Sequence, residues 1–333
     1  MIIKPTLFQL SGIVIDLVHR VSQIPQPGAE AEAHERLITP GGGYNAMIAA
    51  KRFGMSVAYA GALGTGIFAD IVKDALGKEG IPILAATRSP LDQGTCAVII
   101  DDSGERTFYT HHGAERNPGP RDLAALSPSS SDWLLLSGYS LLKETSAAAF
   151  VPWLRTFRRG PVFVFDPAPV VGDIPDANLQ PALARANWIS ANRREAQTLS
   201  GATTPEAAAQ MLAQGRAGAI VRDGADGCWL STNGATVKVD GFRVAALDSS
   251  GAGDAHIGAF IAAMGLGFDT LAAAQLANAA AAIKTTRFGP ATSPGLEETL
   301  AFLHDRDVRL RTPPALTEAG IETVAGPQHS GRN

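Results

Sequence analysis

Few cysteines, no surplus of positive charge and no long apolar run characterise this sequence of 333 residues, and each scarcity removes a class of protein. The two cysteines, Cys96 and Cys228, stand far apart in strand-like runs and read as buried reduced thiols rather than a disulfide. Lys and Arg together number 28 against 32 Asp and Glu, a formal net charge of -4, which is no nucleic-acid footprint. The longest apolar stretch, residues 272–283, is interrupted by Gln275 and Asn278 and falls short of the roughly 20 residues that cross a bilayer. Residues 1–12 carry one Lys, no run resembling a signal core and no small-residue cleavage site, so a cytoplasmic enzyme or binding protein is expected. No internal repeat is visible, and no G-x-x-x-x-G-K-[ST] run exists, which excludes a P-loop.

What is present is a globular composition, 45% apolar and 18% charged, on a chain long enough to bury roughly 75% of its unfolded surface. Apolar runs at residues 57–63, 133–137, 162–165, 188–190 and 219–221 read as buried strands. Helical spacing fills the intervals at residues 45–53, 68–78, 146–157, 178–185, 194–199 and 205–214, so the fold class is α/β with a mostly parallel sheet covered on both faces. Two places break this rhythm. Residues 13–21 with 33–39, and 95–101 with 106–111, alternate apolar and polar side chains and predict antiparallel ribbons, the second turning through Asp102-Ser103-Gly104. These ribbons, within about residues 12–40 and 93–113, are expected to form a flap over one end of the sheet. Two antiparallel strands at 228–231 and 235–239 follow, then Ala-rich helices at 252–266 and 270–284 and a last helix at 296–305. One domain over residues 1–310 and a loosely held tail over 311–333 are expected.

The most informative segment is Asp248-Ser249-Ser250-Gly251-Ala252-Gly253-Asp254, leading from a strand-like run into an apolar helix. Its glycines allow close backbone approach, and the free N–H groups of a helix start make an anion site. An Asp aimed into such a site makes sense if it takes the proton of a hydroxyl that attacks phosphorus; otherwise Asp254 merely complements the helix N-terminus. Pro40-Gly41-Gly42-Gly43-Tyr44-Asn45 suits close approach to a polyhydroxylated ligand, with Asn45 as donor and acceptor, or is a turn with an Asn cap. Asn192 and Glu195, after the strand at 188–190, could orient a hydrated Mg²⁺ or form a capping box.

Taken in order, Gly41-Gly42-Gly43-Tyr44-Asn45, Asn192-x-x-Glu195, Arg222-Asp223-Gly224-Ala225-Asp226-Gly227 and Asp248 to Asp254 resemble the PfkB or ribokinase-like carbohydrate kinase family. The likeness covers about residues 7–304 and includes Asp16, the run Ala277-Asn278-Ala279-Ala280-Ala281 and the stretch from Gly289 to Pro294. It implies a three-layer αβα sandwich with a small β lid, and an ATP-dependent kinase. Under it, Asp254 is the catalytic base and the amides of Gly251, Ala252 and Gly253 form the anion hole. Asp16, Gly42, Gly43 and Asn45 fall at sugar contacts, and Arg106 is either a lid contact to the substrate or one half of a surface ion pair. Asn192 and Glu195 match the Mg²⁺ and phosphate motif. Arg222, Gly224, Gly227 and Asn278 fall in the nucleotide site, and Asp248, Ser250, Thr285 and Gly289 near a monovalent-cation loop that would take K⁺. A homodimer paired through the lids is a common arrangement in the family.

Two departures bear on the acceptor. Gly43 and Tyr139 stand where ribokinases proper carry a Lys and an acidic residue, and Asp166-Pro167-Ala168-Pro169 replaces a motif ending in a phosphate-clamping Arg. Ribose and phosphorylated sugars are both disfavoured. His256 either packs or touches the second ribbon, and His111 and His112 either face substrate or are solvated. The reading is a kinase for the primary hydroxyl of a free pentose or hexose. A nucleoside kinase, which would need an aromatic stacking residue on the lid or at Tyr44, and a catalytically silent sugar-binding protein are the alternatives.

Overall fold

Apolar runs without polar alternation become central strands here because helices cover both of their faces. The computed structural model describes residues 5–86, 89–157, 160–310 and 313. The chain opens with β1 (Thr6–Gln9), β2 (Ile13–Val21), β3 (Ala33–Gly42), α1 (Gly43–Arg52), β4 (Ser56–Tyr59), α2 (Ile67–Lys78), β5 (Thr95–Ile100) and β6 (Arg106–His111). The middle contains α3 (Pro120–Ala124), β7 (Trp133–Ser137), α4 (Tyr139–Leu142), α5 (Glu144–Thr156), β8 (Val162–Asp166), α6 (Asp176–Arg185), β9 (Trp188–Asn192), α7 (Arg193–Ser200) and α8 (Pro205–Ala213). It closes with β10 (Gly218–Arg222), β11 (Cys228–Thr232), β12 (Ala235–Val239), α9 (Ala252–Gly265), α10 (Thr270–Thr285) and α11 (Leu296–His304). The expected tail lies outside the described residues except for Pro313.

The main sheet runs β12-β11-β10-β9-β8-β7-β1-β4, parallel from β10 to β4 and antiparallel at β11 and β12. Alternate residues of one strand enter different cores. Trp133 and Leu135 join the cluster that α1, α2, α9 and α10 cover, whereas Leu134 and Leu136 join the one under α5 to α8. That division is the three-layer sandwich.

A second sheet, β3-β2-β5-β6, is the lid. The two expected ribbons are both present, and they join edge to edge through parallel pairing of Ile15–Arg20 with Thr95–Ile100. Val18, Cys96, Val98 and Ile100 form its small core, against which Leu37 and Phe288 pack. Its strand β3 runs directly into α1 with no loop, so the glycine-rich motif sits at the hinge between lid and sandwich. Both cysteines are free and buried.

The strand expected over residues 57–63 stops at Tyr59, whose hydroxyl donates to the Ala62 carbonyl at 2.8 Å and turns the chain. The short strand β1, absent from the sequence reading, lies between β7 and β4.

Candidate active site

Three polar side chains end adjacent parallel strands: Asp166 on β8, Asn192 on β9 and Arg222 on β10, with Asn192 and Arg222 in register. Carboxyl ends of strands are where open α/β sheets bind ligands. The Arg222 side chain, 12% exposed, lies within ion-pair distance of Asp166 Oδ2 at 3.3 Å and Glu195 Oε2 at 3.5 Å. It also donates to Ser190 Oγ at 2.6 Å. Asn192 and Glu195 form the complete capping box of α7: the Glu195 amide donates to Asn192 Oδ1 at 2.9 Å and the Asn192 amide to Glu195 Oε2 at 2.7 Å. Burial first, and the Asp166 charge second, raise the Glu195 pKa to about 7 against the pull of Arg222.

This corner fits Mg²⁺ only through its water. Among the described residues no three His, Cys, Asp or Glu side chains converge on a metal position. Mg²⁺ keeps several waters beside one or two carboxylates and substrate phosphates, and the hard oxygens of Glu195 and Asp166 meet that need.

Opposite them, α9 is entered through its N-cap Gly251, which is left-handed with φ 71° and whose added Cβ would stand 2.5 Å from the Pro290 carbonyl oxygen. No side chain caps the first turn of α9; the Ala252 amide donates to the Ser249 carbonyl at 3.2 Å, and the Gly253 amide follows it at the helix start. Asp254 in that turn makes no cap bond; its Oδ2 instead accepts from Asn45 Nδ2 at 3.1 Å. Asp254 thus stands in the first turn of α9, where its charge complements the helix start, and is also tied to α1 through Asn45. Asn45 does not cap α1, which starts two residues earlier at Gly43. The two helices meet closely enough that a Cβ on Gly258 would strike the Ala46 carbonyl.

Asp16 completes this wall. Its carboxylate lies over Gly41 where any Cβ would collide with it, which is why the motif begins with glycine. Gly42 has φ 59°, and a Cβ on Gly43 would stand 2.7 Å from Gln9 Nε2. Burial, then the Asp254 charge, push Asp16 up to about 7. Burial is the main cause raising Asp254 to about 6, with Asn45, Arg222 and Lys284 opposing it and Asp166 adding to it. Asn45 Oδ1 has no partner among the described residues, an acceptor suited to a ligand hydroxyl.

From the lid, Arg106 donates to Ser250 Oγ at 3.3 Å, so it reaches the loop before α9 rather than making a surface ion pair. Asn278 is turned inward: Nδ2 donates to the Val239 and Asp240 carbonyls at 3.0 Å, and Oδ1 meets His256 Nε2 at 3.1 Å. It positions the turn after β12, and His256 packs rather than touching the lid. Gly224 and Gly227 adopt φ 60° and 91° in the loop after β10, and a Cβ on Gly227 would strike the Val239 carbonyl. His111 and His112 are exposed, the latter 3.4 Å from Glu115. Asp248, Ser250, Thr285 and Gly289 do come together beneath the loop.

Three residues at the site carry little sequence signal of a role: Asp166 stands in a departing motif, Tyr139 is a replacement, and Lys284, buried beneath the loop before α9, ends an alanine-rich helix. Tyr139 is 47% exposed, and its phenol is raised first by burial and then by the charge of Asp166, with Asp254 contributing. A depression of about 590 Å³ lined by Leu126, Ser130, Trp153, Phe157 and Pro161 carries no titratable side chain among the described residues. Ser130 and Pro161 precede β7 and β8, so it opens at the wrong ends of the strands.

Residues 7–297 match the model of the pfkB family carbohydrate kinases. The chain is 29% identical over 303 residues to an uncharacterized sugar kinase of Escherichia coli (strain K12), covering 89% of this chain and 94% of that protein. It is 29% identical over 302 residues to an ATP-dependent ribose-1-phosphate kinase of Halopiger xanaduensis, covering 87% and 95%. The crystal structure of a ribokinase from Thermotoga maritima superposes with a TM-score of 0.77 at 26% identity, covering 90% of this chain and 99% of that one.

Proposed function

The chain belongs to the pfkB family of carbohydrate kinases, phosphotransferases with an alcohol group as acceptor, and on that premise we propose that it moves the γ-phosphoryl group of ATP to a primary hydroxyl of a free pentose or hexose. The observation that carries this reading is Asp254, bonded through Asn45 to the glycine-rich hinge and set beside the first-turn amides of α9. A hydroxyl between Asp254 and that helix start meets a proton acceptor on one side and an anion hole on the other.

The chemistry follows from these positions. Asp254 takes the hydroxyl proton late, as the oxygen bonds to phosphorus and the ADP oxygen leaves. The Gly251, Ala252 and Gly253 amides, with Arg222 behind them and Arg106 above, oppose the charge that develops on the transferring oxygens. Mg²⁺, when bound, would shield the phosphate oxygens, and Asn192, Glu195 and Asp166 are the residues that would hold it through its waters. Asp16 and Asn45 hold the neighbouring hydroxyls, and the lid excludes water, which would otherwise be a competing acceptor.

An uncharged acceptor suits the electrostatics. Asp16 and Asp254 raise one another's energy when ionised, and a sugar phosphate would add a third negative charge there, while Arg222 is already engaged by Asp166 and Glu195. Tyr139 favours one second reading, a nucleoside kinase, because its exposed ring opens beside the same carboxylates and can stack on a base. Tyr44 is buried and cannot. ADP formation across free pentoses, hexoses, sugar phosphates and nucleosides tests this. Turnover confined to free sugars is expected; turnover confined to nucleosides, or to sugar phosphates, would replace the reading.

The partner proposed for the lid is a second copy. Ile38 and Tyr109, 45% and 66% exposed, share one face of it with Leu17 and Ala97, apolar surface that a second copy would cover. Light scattering should give twice the chain mass, and Tyr109→Glu should return it to one; a monomeric parent protein contradicts the pairing. We place the reaction in the cytoplasm, where ATP is supplied.

A further inference from the structure

The residues that the family resemblance offers to a monovalent cation are gathered beneath the anion-hole loop, but their oxygens are already engaged. Asp248 Oδ1 accepts from the Ser250 amide at 2.8 Å and Oδ2 from the Gly289 amide at 2.9 Å. The Thr285 carbonyl accepts from both the Leu247 and Asp248 amides, at 2.7 and 3.0 Å, which uses both of its lone pairs. Its hydroxyl donates to Ala282, and the Gly289 carbonyl accepts from Thr292 Oγ1 at 2.8 Å. Ser250 Oγ takes the Arg106 guanidinium. K⁺ is bound by oxygens that replace its hydration shell. These residues do not fit it.

A cation is nevertheless in place. Lys284, in the last turn of α10, has a side chain that is 0% exposed, and its Nζ donates to the Asp248 carbonyl at 2.8 Å and lies 3.7 Å from Asp248 Oδ2. A fully buried ammonium is costly to desolvate and persists only where it is paired. Here it pairs with the first residue of the loop that ends in Asp254, and its charge is one of those that oppose protonation of Asp254.

We propose that Lys284 is the resident cation of this loop: its buried ammonium stands where the resemblance would put an exchangeable monovalent ion, and phosphoryl transfer proceeds without one. Tethered to α10, the ammonium cannot diffuse away, so the Asp248 to Gly251 turn keeps its shape at any K⁺ concentration. The guanidinium of Arg106, bonded one side chain away at Ser250, adds a second positive charge that repels a further cation. Lys284 is a positioning residue, acting on the transferring group through the loop rather than by contact. The inference rests on the kinase reading above.

The test uses the full chain at constant ionic strength of about 0.2 M, set with tetramethylammonium chloride and exchanged stepwise for KCl. Turnover of the wild-type protein is expected to change less than about twofold, and thallium NMR with Tl⁺ as probe to show no bound resonance. Lys284→Ala, which leaves room beside the freed Asp248 carbonyl and the Asp248 carboxylate charge, is expected to lose about 100-fold in kcat and to regain about tenfold or more when K⁺ is added, a response that a purely structural lysine would not give. Saturable activation of the wild type by K⁺, a bound Tl⁺ resonance displaced by K⁺, or full activity of Lys284→Ala without K⁺ would each overturn the proposal. If the variant does not fold, the two wild-type measurements still decide. If no acceptor is turned over, the kinase reading fails by itself while the thallium measurement continues to report on the cation site.

Discussion

Asp254→Asn is expected to lower kcat by about 10³ to 10⁴-fold while leaving sugar affinity within about threefold. The substitution keeps the shape and lets the new side-chain oxygen still accept from Asn45 Nδ2, so the hinge and α1 stay in place. What is removed is the proton acceptor alone. Stability should not fall. Burial holds the Asp254 pKa up at about 6, above its unfolded value, so ionising it costs the folded state stability that is lost as pH rises through that interval. The amide is free of that cost at pH 8. The same shift sets the acid limb of the wild-type rate, since a protonated Asp254 accepts nothing: kcat/KM should fall as pH drops below about 6. Parallel measurement of initial rates, calorimetric sugar binding and thermal unfolding checks the whole set. Equal rates in the two proteins would remove Asp254 from the chemistry.

Gly251→Ala should be the most damaging small substitution in the loop. The residue is left-handed at φ 71°, and its Cβ would approach the Pro290 carbonyl to 2.5 Å, a backbone atom that cannot swing aside. Strain of this kind costs about 1 to 3 kcal/mol, to be read from denaturant unfolding. The larger effect is on rate. The amides of Ala252 and Gly253 are aimed by this turn, and misdirecting anion-hole donors costs about 10² to 10³-fold in kcat/KM. Gly77→Ala is the matched control: it lies in α2, meets nothing within 4 Å, and should stabilise slightly by lowering unfolded-chain entropy. Wild-type kinetics in Gly251→Ala would place the anion hole elsewhere.

Legibility of the fold followed burial. Runs such as residues 133–136 and 162–165 are apolar throughout because each contributes to two cores, and β7 extends that pattern by Ser137 alone. β1 escaped notice because four residues with Thr at one end and Gln at the other carry too little periodicity, although the sheet places it between two longer neighbours. Parallel pairing of β2 with β5 was equally hidden, since it joins segments from separate hairpins with no turn to announce it.

At the site, glycine spacing exposed the loop and the hinge, and the resemblance supplied roles. Single residues with two consistent readings needed coordinates. Asn192 and Glu195 satisfy a capping box from side chains that also face the cleft, so the pattern could not separate the two uses. Lys284 sat unremarked in a helical alanine run, where a lysine ordinarily faces solvent; only its placement against Asp248 reveals otherwise.

The most direct measurement follows label from [γ-³²P]ATP during incubation of the full chain with Mg²⁺ and each free sugar in turn, separating sugar phosphate from inorganic phosphate. Label on one free pentose or hexose, at a phosphate ester of its primary hydroxyl and with little inorganic phosphate released, is the predicted result. Label that appears only as inorganic phosphate, or that stays on ATP with every free sugar while calorimetry shows one of them bound, would contradict it.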